Sequence, residues 1–116
     1  MSVSAFSDVV KARVMARSGG MCEHCETFCA DTGEYHHRRN RGSGGSRDPR
    51  VGQASNCAFL CPPCHRWVTA NTLAAKELGL YVSKFGTPPA EVPVWRRGQR
   101  VLLDDEGGIT PAGVVA

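Results

Sequence analysis

A chain of 116 residues carrying a formal charge of +3 is too short for two ordinary globular domains; it has room for one modest core that needs reinforcement. No run approaches the roughly 20 consecutive apolar residues of a membrane-spanning helix, and Met1 to Val10 include Asp8 and lack the apolar core of a secretory signal. A soluble, cytoplasmic protein with no membrane partner is therefore expected, its six cysteines serving as metal thiolates rather than disulfides.

The positive charge is uneven. Arg38, Arg39, Arg41, Arg47 and Arg50 stand against Asp48 alone between positions 38 and 50, a local balance of +4 that leaves −1 for the remainder. A patch of this kind suits the phosphate backbone of a nucleic acid, where binding is largely electrostatic. A solvated loop without a partner is the competing reading.

The first predicted element is a helix over residues 7–18. Ser7 can cap it, Asp8 suits its positive end, Val10 and Val14 repeat at four-residue spacing, and Gly19-Gly20 ends it. Arg13 and Arg17 read as surface charges, with a groove-flanking role as the alternative. Next comes Cys22-Glu23-His24-Cys25, matched downstream by Cys61-Pro62-Pro63-Cys64. Each C-x2-C sets two thiolates on one tight turn, and two such turns supply the four ligands of a structural Zn2+ site. The 35 residues between them exceed the gap of a simple zinc ribbon, as expected if a functional hairpin is inserted. Cys29 and Cys57 remain as free, partly buried thiols.

Gly33 precedes a short strand expected over Tyr35 to Arg38, and a polar, glycine-rich segment follows it. The loop from Gly42 to Ser55 is long for a compact domain and carries the arginines, which points to mobility or function. Asn56 to Leu60 is expected to return as a second strand pairing with the first. Pro62 and Pro63 suit the first turn of a helix, which puts His65 near its N-terminus; Trp67 and Val68 give that helix an apolar face. Asn71 is expected to cap a second short helix ending at Leu78, with Gly79 as its stop. Val92 to Trp95 and Arg100 to Leu103 then read as a small β appendage, whose Arg96, Arg97 and Arg100 are best explained as edge-strand protection.

Taken together, the His36-His37 pair, Asn56 and the Leu60-Cys61 to Cys64-His65 ending resemble the HNH endonucleases of the His-Me finger (ββα-metal) superfamily. The likeness covers about residues 8 to 80 and is strongest to compact phage and actinobacterial members with a four-cysteine zinc site. It implies an α+β fold: a ββα-metal finger stapled by zinc, with an N-terminal helix and a C-terminal β appendage. Residues 1–80 would form the nuclease core, and 81–116 a β-rich extension of the same domain.

The resemblance also implies roles. His36 and His65 would hold one catalytic divalent ion, His37 would be the general base, and Asn56 would be the catalytic-site asparagine that braces the finger and in some members approaches the metal. Because the residue before the base is histidine where the family often has aspartate, Mn2+, Ni2+ or Zn2+ would suit the site better than Mg2+. Arg38 or Arg39 would neutralise the scissile phosphate, with Arg41, Arg47 and Arg50 adding affinity for DNA. The products would be a 5′-phosphate and a 3′-hydroxyl, made by nicking or double-strand cleavage with little sequence specificity, since no recognition helix is evident. A phage DNA-packaging terminase is the implied partner.

Either histidine of the pair, taken singly, reads more readily as structural; the set carries the weight. A non-catalytic zinc-ribbon module that binds nucleic acid is the main alternative, and a nuclease subunit active only beside a partner is another.

Overall fold

The computed structural model describes residues 6–39, 49–83 and 86–112. Its first element, helix α1 (Asp8–Ser18), begins where Ser7 accepts a hydrogen bond from the Val10 amide and ends at Gly19, whose φ of 66° lets its N–H reach back to the Met15 carbonyl. Val10, Val14 and Ser18 form the buried face of α1. The chain then turns through the first cysteine knuckle, closed by a bridge between Met21 and Phe28.

Strand β1 (Glu34–His37) pairs antiparallel with β2 (Cys57–Leu60), with Glu34 opposite Leu60, His36 opposite Ala58 and His37 opposite Cys57. Gly33 comes just before β1, where a Cβ would overlap the Phe59 ring, so glycine there is a packing requirement as well as a strand break. β2 is buried along its length. One residue later, Pro62 starts helix α2 (Pro62–Ala70), because proline's missing N–H costs nothing in a first helical turn. The expected second helix is α3 (Thr72–Glu77). The Asn71 side chain caps nothing at its start; it donates instead to the Trp67 carbonyl at the end of α2. At Gly79, φ is 77° and a Cβ would strike the Pro93 carbonyl.

Residues 49–55, expected as the end of a long polar loop, are short 3-10 turns (Pro49–Gly52 and Ala54–Asn56). Val51 and Ala54 are buried in the interior, so this stretch is scaffold. The heart of the arginine loop, with Arg41 and Arg47, lies outside the described residues.

A second sheet has the order β3 (Val94–Arg96), β4 (Gln99–Leu103), β5 (Ile109–Pro111), all antiparallel. The β3–β4 hairpin turns on Arg97 and Gly98, both at positive φ; β5 was not expected. Val94, Val101 and Leu103 join the same buried cluster as Val10, Val14 and Phe59. The architecture is α+β, and no helix among the described residues is long and apolar enough to cross a membrane.

Three charged residues tie these layers together. Glu23, between the cysteines of the first knuckle, accepts from Arg17 of α1 at 2.7 and 2.9 Å and from Arg96 of β3 at 2.7 Å. Its other contacts are the Phe59 amide and, through its own N–H, the Phe59 carbonyl. Burial opposes the carboxylate's charge, but Arg17, the Phe59 amide and Arg96 outweigh it and hold Glu23 below its ordinary pKa. Arg17 and Arg96 are therefore structural, and Arg97 likewise donates to the Ser18 carbonyl; edge protection explains neither Arg96 nor Arg97. Glu23→Gln would remove the one carboxylate that neutralises both guanidiniums, leaving them only backbone carbonyls, and it is expected to cost about 3–5 kcal/mol in urea unfolding of the metal-loaded protein. An unchanged midpoint would remove this triad from the stabilising framework.

Candidate functional site

The two C-x2-C turns meet. Zn2+ bound by thiolates at roughly 2.3 Å sets the sulfurs of a tetrahedron about 3.8 Å apart. Cys25 and Cys61 Sγ are 3.7 Å apart, and the sulfurs of Cys22, Cys25, Cys61 and Cys64 all lie within 4.8 Å of one another. The Cys25 amide donates to Cys22 Sγ at 3.4 Å, which stabilises charge on a thiolate. The Thr27 hydroxyl holds the Cys25 thiol down at about 6, while burial pushes Cys61 and Cys64 up; a coordinated cation overrides such a rise by deprotonating its ligands outright. These four cysteines can hold a structural metal such as zinc. Cys29 and Cys57 are buried and free, and burial pushes the Cys57 thiol well up, leaving it inert.

On the other side of β1, a cavity of about 760 Å³ is lined by His36, His37 and His65, with Glu34, Tyr35 and Lys11 among its other walls. Successive residues of a flat strand face opposite ways, yet His36 and His37 both reach this cavity because β1 ends there and the backbone bends at Arg38. His65 enters from the first turns of α2.

The hydrogen bonds of these rings fix their tautomers. His36 Nε2 is 2.7 Å from the Leu80 carbonyl; a carbonyl only accepts, so Nε2 carries the proton and Nδ1 keeps its lone pair. Burial pushes His36 down to about 4, with the Leu80 bond opposing and His65 reinforcing the shift, so the ring is neutral at neutral pH. His65 Nδ1 is 2.9 Å from Glu34 Oε1, which by the same reasoning leaves its Nε2 open. The two rings stand edge to face with centroids 5.0 Å apart. His37 stands apart from this pair, its ring stacked on Phe6 at 4.0 Å and 15°. The three imidazoles do not form one cluster: among the described residues, the four cysteines alone make a group of three or more such donors around a common point.

Three expected site residues have other places. Arg38 is 0% exposed, and it donates to the carbonyls of Gly79, Ser55, Pro89 and Val92 at 2.7–3.1 Å. Arg39 is 1% exposed and donates to the carbonyls of Ser83, Gly86 and Thr87. Both guanidiniums run inward because the described parts of the segment between Gly79 and Val92 bring several carbonyls within their reach, and a five-donor fork can satisfy several at once. They lock that segment to the hairpin and cannot meet a phosphate. Asn56, fully buried, accepts from the Arg39 amide at 2.6 Å and donates to the carbonyls of Arg39 and Val51. It is a bracing residue outside the cavity wall and not a reacting group. Arg50 is exposed, as DNA contact requires.

Glu34 and Lys11 were given no role in the sequence reading. Glu34 was legible in principle: it shares a strand face with His36 and pairs with Leu60, one residue from the knuckle that leads to His65. Among known proteins, no family model, no curated sequence and no solved structure matches this chain.

Proposed function

We propose that this chain is a metal-dependent HNH endonuclease of the His-Me finger superfamily that hydrolyses DNA phosphodiester bonds, with β1, β2 and α2 as its ββα-metal finger. One observation carries the reading: His36 and His65 each set one ring nitrogen against an outer oxygen, the Leu80 carbonyl and the Glu34 carboxylate, beside a third histidine in one cavity. Metal-binding histidines characteristically have such outer partners, which fix ring orientation and raise ligand basicity.

In this mechanism, His36 and His65 hold a divalent cation, which when bound supplies positive charge against a phosphoryl oxygen. Glu34 and the Leu80 carbonyl keep the two rings from turning. His37, an imidazole able to exchange a proton near neutral pH, takes the proton of the attacking water while Phe6 holds its plane. The water oxygen bonds to phosphorus and the bond from phosphorus to the 3′ oxygen breaks; the departing 3′ oxygen takes a proton from solvent water, leaving a 5′-phosphate and a 3′-hydroxyl. The four-cysteine site fixes Cys61, and through it the start of α2 and the position of His65.

Incubation of the zinc-loaded protein with supercoiled plasmid and added Mn2+, Ni2+ or Mg2+ is the test. Metal-dependent conversion to open-circular or linear DNA is expected. Plasmid that is retarded but never cut, with every metal tried, would replace the enzyme by a zinc module that only binds nucleic acid.

A further inference from the structure

With Arg38 and Arg39 committed to backbone carbonyls, the cavity needs another source of fixed positive charge if it is to receive a phosphodiester. Glu34, also in its wall, is acidic and does not supply it. Lys11 is the one lysine or arginine among the described residues lining the cavity. It lies on α1, one position beyond Val10, half-buried at the cavity edge. Its Nζ is 5.6 Å from the centre of the Tyr35 ring, itself part of the wall. Among the described residues no carboxylate pairs with it.

These features belong together. An ammonium over an aromatic face is attracted by the ring but remains a three-proton donor. A lysine with neither a carboxylate partner nor full hydration is poised for an anion entering the cavity. Resting on the nuclease reading, we propose that Lys11 is the phosphate-binding cation of this site, contacting a non-bridging oxygen of the DNA strand that lies across His36, His37 and His65.

The test uses Lys11→Met and Lys11→Arg in the full-length, zinc-loaded protein. Lys11→Met is expected to lower kcat/KM for plasmid nicking about 100-fold, and Lys11→Arg to stay within about tenfold of wild type, because it keeps the charge. Binding of a fluorescent 30-base-pair duplex, measured without added divalent ion, should show the log–log salt slope reduced by about 1 in Lys11→Met. Undiminished nicking by Lys11→Met with an unchanged salt slope would overturn the assignment. Equal losses in both variants with a lowered melting temperature would also overturn it, by making Lys11 a packing residue on Tyr35. Failure of the nuclease reading is distinguishable: the wild type would then cut nothing, while the salt slope of binding would still show whether Lys11 meets a phosphate.

Discussion

Replacing His37 with alanine is expected to abolish plasmid cleavage while leaving zinc content and fold intact. General-base assistance contributes roughly 10²–10⁴-fold in rate, and the whole of it rests on this ring, since His36 and His65 each have one nitrogen tied to Leu80 or Glu34. The loss should fall on kcat, with duplex affinity little changed. Removing a ring stacked on Phe6 at 4.0 Å gives up about 0.5–1.5 kcal/mol, which is small beside a domain's total stability. Zinc-to-protein ratio, circular dichroism and single-turnover cleavage separate these effects. Cleavage at the wild-type rate by His37→Ala would take His37 out of the base role.

Metal removal should have the second large effect. A structural zinc site contributes an apparent 10 kcal/mol or so to folding, comparable to the whole stability of about 5–15 kcal/mol expected of a small domain. Here the four sulfurs join residues near 22 to residues near 61, the two ends of the segment that carries the candidate site. A strong chelator, or Cys22→Ser at a position that is 0% exposed, is therefore expected to unfold the chain cooperatively, with loss of both helical signal and cleavage. Metal analysis of the native protein should give at least one tightly held zinc per chain. A chelated protein that kept its full circular dichroism would show that the core of Val14, Phe59 and Leu80 suffices without the metal.

The order in which structure emerges explains what could be read in advance. Ser7, Gly19, Pro62 and Gly79 act on the backbone within a few residues of themselves, so the bounds of α1, the start of α2 and the end of α3 follow from local chemistry. The cysteine knuckles were also legible, because two-residue spacing is itself a geometric constraint. β5 escaped notice since Ile109-Thr110-Pro111 is too short to show a pattern, and it becomes a strand only by pairing with β4.

Side-chain fate was far less legible than backbone. A run of arginines looks the same whether it faces water or lines an interior. Arg38 is buried because carbonyls 17 to 54 residues away in sequence converge around it, and Arg39 because those of Ser83, Gly86 and Thr87 do the same. Glu23 could not be told from an ordinary exposed acid until Arg17 and Arg96, 73 positions beyond it, closed on its carboxylate.

By itself, then, the sequence determined the helices, the strand pair, the cysteine site and the identity of the three candidate histidines, because each of these depends on neighbours along the chain or on a fixed ligand spacing. Only the tertiary structure decided which cations are scaffold and which face the cavity, that Glu34 orients His65, and that Lys11 stands where Arg38 had been expected. Charged side chains are long and flexible, and their lowest free energy is set by whichever acceptors the folded chain brings within reach.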